Sequence, residues 1–183
     1  MEEKLVETFM EARVAETGRD RAYWLSRSWV DQHRRGAVAA APIVVLPWED
    51  AEGDKIHYPT AAPEFVQMLR EAFGPDLTIA IPTRPEDYAE LVLHSREWRL
   101  PKLLIGFVLV PLLVNLLSDK VAELLPGFEV GDTIEMDLIV EGENHRCLSV
   151  TYKGPPDAIP EVVLKQIERC GHYLTEAKGA ARK

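Results

Sequence analysis

The alternation of apolar and polar residues at the start of the chain predicts two amphipathic helices. Apolar side chains recur at helical spacing over 2–17 and again over 21–35, and Gly18 and Gly36 follow these two segments as helix stops. Two such helices joined by a short turn would form a helical hairpin. We therefore expect residues 1–36 to form an N-terminal helical hairpin arm.

Short apolar runs bounded by proline or glycine predict the elements of the central region. In chain order these are a buried strand over 42–47, an edge strand over 55–58, a helix over 63–73, and a hairpin of strands over 77–81 and 88–94. The two strands of that hairpin are separated by a turn rich in proline and aspartate, which favours a reversal of the chain.

The C-terminal half shows the clearest alternation. The pattern predicts a long helix over 101–125, strands over 133–140 and 145–152, and a last helix over 160–170 that ends at Gly171. With the preceding hairpin the order is strand, strand, helix, strand, strand, helix. Because each strand has one apolar side, this order predicts an α+β fold in which one sheet carries its helices on one face. We expect the α+β domain to span 37–175 and a flexible tail to follow over 176–183.

The predicted helix over 101–125 is the most unusual element, because its first part is apolar around the whole circumference. The run from Leu103 to Ser118 holds 16 uncharged residues, whereas a membrane span needs roughly 20. Pro111 predicts a kink within the helix. Burial against another subunit is favoured over burial within the chain and over insertion into a membrane, since one small sheet covers only one side of a helix. The side chains expected at this interface are Trp24, Trp29, Trp98, Leu104, Phe107, Val108, Leu112 and Leu116.

Charge and composition narrow the classes of partner and compartment. The chain carries 30 acidic and 21 basic residues, a net charge of −9, so it lacks the basic footprint of a nucleic-acid binder. Its two cysteines exclude a disulfide scaffold. The first 25 residues are charged throughout and show no secretory signal, which predicts a cytoplasmic protein, with association with the inner membrane as the alternative. Few Asn and Gln beside many Ala, Arg and Pro indicate a bacterial source.

Metal and catalytic motifs are weak. His145, Cys147, Cys170 and His172 are the nearest approach to a zinc set, but their spacing is that of no zinc ribbon or finger. The two halves also disagree in phase, because His145 and Cys147 lie on the polar side of a predicted strand and Cys170 on the apolar side of a predicted helix. Glycine-rich phosphate loops, paired helical histidines and redox CxxC are absent from the sequence. We expect no metal and no cofactor, and whether the protein is an enzyme stays open, with the balance against catalysis.

The stretch from Trp98 to Pro156 resembles a pattern found in small uncharacterised bacterial proteins. Its features are the proline-interrupted apolar helix, Asn115 near the end of that helix, a strand hairpin, and Tyr152 followed by Lys, Gly and Pro. The resemblance covers about a third of the chain and implies no activity and no functional residue.

Taken together, these patterns predict a non-catalytic subunit for protein interaction or assembly. The apolar helix and the N-terminal aromatics would bind another protein, in a homo-oligomer or a larger complex. A membrane-associated protein that inserts the same helix is the alternative, and a small-molecule enzyme with dispersed catalytic residues is the third possibility.

Overall fold

The computed structural model describes residues 10–53, 55–84, 90–91 and 97–175. These residues form both strands and helices, which confirms the predicted α+β class. The strands are β1 (Glu11–Thr17), β2 (Ile43–Leu46), β3 (Trp48–Glu49), β4 (Ile56–Pro59), β5 (Ile79–Ala80), β6 (Glu90–Leu91), β7 (Glu97–Arg99), β8 (Lys102–Gly106), β9 (Thr133–Glu141) and β10 (Cys147–Gly154). The helices are α1 (Arg21–Leu25), α2 (Arg35–Ala40), α3 (Ala62–Phe73), α4 (Val110–Leu124) and α5 (Ile159–Thr175). Short 3₁₀ helices lie at Gln32–Arg34, Phe107–Leu109 and Pro156–Ala158.

The main sheet is mixed and has the strand order β1-β10-β9-β8-β2-β5. The pairs β1/β10, β10/β9 and β8/β2 are antiparallel, whereas β9/β8 and β2/β5 are parallel. β7 also pairs in parallel with β9. It pairs with the first residues of β9, and β8 pairs with the last ones. A small second sheet joins β3, β4 and β6.

Parallel neighbours require a crossover connection, and the chain supplies a helix for each. α3 lies between β2 and β5, and α4 lies between β8 and β9. These two helices and α5 bury their apolar sides on the same face of the main sheet, in what we call the first core. Its fully buried members include Leu69 of α3, Leu113 and Leu117 of α4, and Val163 of α5.

α3, α4 and α5 lie on one face of the sheet as predicted, and the opposite face is covered as well, by α1 and α2. Trp24 of α1 and Val38 of α2 pack there against Val44 of β2, Leu104 of β8 and Ile139 of β9, and we call this group the second core. Because both faces are covered at this point, all four residues of β2 are buried. The sequence of a strand that is buried on both sides is a continuous apolar run and does not alternate between apolar and polar residues.

The predicted helix over 2–17 is wrong for the part that the structure describes. Residues 11–17 form β1, which pairs antiparallel with β10 from Glu11 opposite Lys153 to Thr17 opposite Cys147. Ala12 and Val14 turn towards the first core. The second predicted helix, over 21–35, is α1, a turn, and a 3₁₀ helix that leads into α2. The division of the chain at residues 36 and 175 stays a prediction.

The predicted helix over 101–125 is likewise divided. Its first residues form β8, which lies between β2 and β9 and is buried from Lys102 to Ile105. The helix begins only at Val110, after one turn of 3₁₀ helix. Pro111 therefore lies in the first turn of α4, where its missing N–H leaves no hydrogen bond of that helix unmade, so the mid-helix kink that the sequence predicts does not arise.

The predicted hairpin over 77–94 does not form from the residues that the structure describes. β5 pairs with β2, and β6 pairs with β4, both in parallel. The rest of the second predicted strand lies outside the described residues. By contrast, α3, β2, β9 and β10 form close to their predicted bounds.

The last helix runs past its predicted end at Gly171 and reaches Thr175. Tertiary contacts explain the extension. Leu174 is fully buried in the first core, and the side-chain amide of Asn144 in the β9–β10 turn donates a hydrogen bond to the carbonyl of Tyr173 at 3.1 Å. Gly142 in the same turn lies directly against Leu174.

We expect Gly142→Ala to lower the free energy of unfolding by about 1–3 kcal/mol, the usual cost of overpacking. The new Cβ would lie 2.8 Å from the Cα and 2.9 Å from the Cβ of Leu174, so the end of α5 would have to move. The matched control is Gly171→Ala, because Gly171 lies within α5 and has open space around it. It should raise stability by about 0.5–1 kcal/mol. Urea denaturation measures the stability of both variants. A loss of stability in Gly171→Ala would show that α5 ends at Gly171.

Candidate functional site

The outer side of α4 carries the exposed apolar residues that the sequence singled out. Val108, in the 3₁₀ helix before α4, is 66% exposed and Leu112 is 61% exposed. Leu116 follows four residues after Leu112 and is half-buried. Residues four apart lie on the same side of a helix, so Leu112 and Leu116 form one apolar row along α4.

This row leads into a groove between α3 and α4, which we call the α3–α4 groove. It encloses about 700 Å³ and is mostly apolar. Its lining residues are Pro63, Glu64, Gln67, Met68, Glu71 and Ala72 of α3, and Leu116, Lys120, Glu123 and Leu124 of α4. The two helices both pack on the sheet, and the space between their outer sides is open to solvent, as a groove that binds a helix must be.

The rim of the groove is predominantly acidic. Glu64 and Glu71 lie on the α3 side and Glu123 on the α4 side, and all three are exposed. Lys120 is the one basic side chain among the described residues that line the groove, and its Nζ lies 3.8 Å from a carboxylate oxygen of Glu123. The groove therefore combines an apolar floor with a net negative rim.

Two of the predicted interface residues lie inside the protein instead. Leu104 is 0% exposed and Trp24 is 1% exposed, and both belong to the second core. The indole N–H of Trp24 donates to the carbonyl of Arg19 at 3.0 Å. Neither side chain is available to a partner in this fold, because each already packs against the sheet.

The remaining predicted interface residues are half-buried and packed within the chain. Trp29 donates from its indole nitrogen to Glu49 at 2.7 Å, and Trp98 donates to Asp132 at 3.3 Å. Phe107 packs against the first core. The structure thus brings Val108, Leu112 and Leu116 together on the surface, and it does not join them to the aromatic residues near the N-terminus.

The four weak metal candidates form no site. Cys147 is buried in β10, Cys170 is half-buried in α5, and His145 and His172 are exposed. Within the described residues, no group of three or more histidine, cysteine or acidic side chains is arranged to hold a metal ion.

Burial gives Cys147 and Tyr152 an unusual resistance to ionisation. It raises the pKa of the Cys147 thiol from 9.0 to about 12, and that of the Tyr152 hydroxyl from 10.0 to about 12. The nearby carboxylates of Glu141 and Asp157 add to these two increases respectively. The Tyr152 hydroxyl also donates to the carbonyl of Pro155 at 2.6 Å.

We expect the protein to lose stability as the pH rises from about 9 towards 12, the window set by these pKa values. Both groups release their protons more readily in the unfolded chain, so alkali favours unfolding. The free energy of unfolding should fall less steeply with pH in Cys147→Ser than in the wild type. Cys170→Ser is the matched control and should retain the wild-type slope. Equal slopes for all three proteins would contradict the burial of the Cys147 thiol.

A buried ion pair is the feature that the sequence analysis missed. The Lys102 ammonium on β8 lies 3.3 Å from an Asp137 oxygen on β9, and both side chains are largely buried. The ammonium also lies over two indole rings, 5.3 Å from the centroid of Trp24 and 5.0 Å from that of Trp48. The lysine appears in the sequence as the boundary of an apolar run, so no local signal marks it as buried.

Lys102 only partly compensates the Asp137 carboxylate for the loss of its contact with water. Desolvation raises its pKa above the ordinary value of 3.8, although Lys102 opposes that change. The second oxygen of Asp137 is buried and has no hydrogen-bond partner among the described residues. Arg99 and Glu135 form a neighbouring ion pair at 3.1 Å, and Arg99 stacks over Trp48. In both ion pairs the acidic and the basic side chain are paired with each other, which is typical of charges that support the fold.

No described helix is both long enough and apolar enough to cross a membrane. Comparison of the chain with protein-family models, with curated proteins and with solved structures finds no match. The chemistry of the α3–α4 groove is therefore the main guide to function.

Proposed function

We propose that the protein is a non-catalytic binding module whose α3–α4 groove takes up an amphipathic helix of a partner protein, with basic residues flanking the apolar side of that helix. One observation carries the proposal: the apolar row of the exposed Leu112 and the half-buried Leu116 continues into an apolar groove with an acidic rim. A cytoplasmic location belongs to the same proposal.

The shape of the surface supports a helix as the occupant. Apolar side chains at i, i+3, i+4 and i+7 of an amphipathic helix form a ridge that fills a groove between two helices. The floor offers Met68 and Leu124, and the row along α4 offers Leu116 and Leu112. Burying three or four apolar side chains of the partner helix against this surface stabilises a complex by several kcal/mol, at about 1.5–3 kcal/mol each, before the costs of association.

The charges on the rim favour a basic partner over a second copy of this chain. A symmetric dimer through the groove would place Glu64, Glu71 and Glu123 of one copy near the same residues of the other, and like charges oppose such pairing. The net charge of −9 adds to that repulsion. The same acidic rim disfavours a membrane as the occupant, because bacterial and other inner leaflets carry anionic lipids.

The test uses a designed helical peptide as the probe, with a leucine ridge, lysines on both flanks and a fluorescent label. Its binding to the full chain is followed by fluorescence anisotropy and compared with that of a peptide with the same ridge and glutamate flanks. We expect the lysine peptide to bind at least about tenfold more tightly, a difference of about 1.4 kcal/mol.

Two surface variants locate the binding. Ala72→Trp fills the groove, and Glu71→Lys reverses one rim charge near the end of α3, where a lysine suits the helix dipole. Each should weaken binding of the lysine peptide by about tenfold. The matched controls are Ala122→Trp on α4 and Glu168→Lys on α5, both exposed and outside the groove.

Equal binding of the two peptides, or equal losses in the groove variants and their controls, would contradict the proposal. Sedimentation of the unliganded chain tests the other occupant. A dimer that Ala72→Trp dissociates would show that the groove holds a second copy.

A further inference from the structure

A second cavity lies on the other side of the first turns of α3. It encloses about 250 Å³ and is lined by β2, β4, the start of α3 and the residue that follows β5. Its lining residues are Val45, Tyr58, Pro59, Thr60, Ala62, Pro63, Val66, Arg70 and Ile81. β2 and β5 are parallel, so Val45 near the end of β2 and Ile81 just after β5 lie at the same edge of the sheet. Crevices outside the carboxyl ends of parallel strands are frequent ligand sites in sheets of this kind.

The interior of the cavity is apolar and its position in the fold is well fixed. Val45, Val66 and Tyr58 are buried. The Tyr58 hydroxyl donates to the carbonyl of Val45 at 3.3 Å and accepts from Thr83 at 3.2 Å, so β2 and β4 are held together beside the cavity. An apolar ligand would therefore meet a preformed wall.

One charged side chain ends the apolar row. Ala62, Val66 and Arg70 are spaced four residues apart on α3 and share the helix side that lines the cavity. Arg70 is exposed, and its guanidinium group has no hydrogen bond or ion pair with another of the residues that the structure describes. A guanidinium group presents paired N–H donors that match the two oxygens of a carboxylate.

We propose that this cavity binds a small apolar monocarboxylate, with the hydrocarbon part against Val45, Val66 and Ile81 and the carboxylate on Arg70. A volume of about 250 Å³ offers room for about eight heavy atoms at ~30 Å³ each. That size corresponds to a short fatty acid such as hexanoate. The site adjoins the α3–α4 groove at Pro63, which lines both, but its ligand is a small molecule rather than a protein.

The test is calorimetric titration of the full chain with hexanoate, compared with hexanol, hexylamine and inorganic phosphate. We expect hexanoate to bind at millimolar concentration or better. Hexanol should bind about tenfold to a hundredfold more weakly, because it lacks the charge-assisted hydrogen bonds. Hexylamine should not bind, since its cation faces another cation, and phosphate should not bind, since it has no apolar part.

Arg70→Gln should weaken hexanoate binding by the same tenfold to hundredfold factor while leaving the fold intact, because Arg70 is exposed. The matched control is Arg169→Gln on α5, which is exposed, changes the net charge equally and lies outside the cavity. Val66→Phe, which fills the cavity, should abolish binding. The proposal is overturned if hexanoate fails to bind, if hexanol or phosphate binds as tightly, or if Arg70→Gln and Arg169→Gln behave alike.

Discussion

Replacing Lys102 with alanine is expected to lower the free energy of unfolding at neutral pH by about 3–5 kcal/mol, the usual cost of removing one partner from a buried ion pair. The variant leaves the Asp137 carboxylate without its cation, between β8 and β9 and largely away from water. It also removes the ammonium group from the two indole rings that it contacts. Chemical denaturation at neutral pH measures the loss.

The loss should depend on pH in a defined direction. Burial already raises the pKa of Asp137, and Lys102 opposes that rise, so the pKa increases further when Lys102 is removed. A carboxyl group whose pKa is higher in the folded state stabilises the fold most at low pH and loses that contribution as the pH rises. The penalty in Lys102→Ala should therefore be small in mild acid and large at neutral pH.

Two further variants serve as controls for the ion pair. Lys120→Ala breaks the exposed pair with Glu123 and should cost less than about 1 kcal/mol. The double variant Lys102→Met with Asp137→Leu removes both buried charges and should be close to wild type in stability. A loss in Lys102→Ala that equals the loss in Lys120→Ala, or that does not change with pH, would contradict the buried pair.

Trp24→Ala is expected to lower the free energy of unfolding by about 3–5 kcal/mol, the usual cost of truncating a buried aromatic residue. The indole ring covers Val44, Leu104 and Ile139 on the second face of the sheet, and its N–H donates to the carbonyl of Arg19. Its removal would leave a cavity and expose β2 to water. Thermal or chemical unfolding checks the result.

Leu112→Ala is the informative comparison, because the sequence analysis placed Trp24 and Leu112 in the same interface. Leu112 is 61% exposed, so its truncation should change stability by less than about 0.5 kcal/mol. The pair of variants therefore distinguishes a core residue from a surface residue. Similar stabilities for both variants would show that Trp24 is not part of the core.

The elements that local patterns specify were predicted well from the sequence. The alternation of β9 and β10, the apolar side of α3, and the run of β2 between prolines each hold enough information within a few residues. The α+β class follows from these elements alone. In α3, β9 and β10 the side chains that face the core repeat at the period of the element, and β2 is a short apolar run between prolines.

The errors arise where a distant partner decides the local structure. Residues 11–17 satisfy helical and strand periods almost equally, and their pairing partner β10 lies more than a hundred residues away. Residues 103–106 carry no polar side chain, and periodicity alone cannot assign such a run to a helix or a buried strand. A glycine such as Gly171 often ends a helix, but here α5 continues to Thr175 because Leu174 is buried in the first core.

The candidate site was predicted only in part for the same reason. The sequence identified Val108, Leu112 and Leu116, because an apolar surface on a helix is visible in its spacing. It did not identify the α3 side of the groove, since nothing local indicates that α3 lies beside α4 on the sheet. It also placed Trp24 in the interface, because the sequence alone does not distinguish an aromatic residue at an interface from one in a core.

The docking of a basic helix on the α3–α4 groove is tested most directly by a nuclear magnetic resonance titration of the isotope-labelled full chain with the lysine-flanked peptide. We expect the largest shifts of backbone amides over 62–73 and 108–124, and small shifts over β1 and β10 at the far edge of the sheet. Largest shifts at any other surface, or none at peptide concentrations that saturate the anisotropy signal, would contradict the proposed role of the groove.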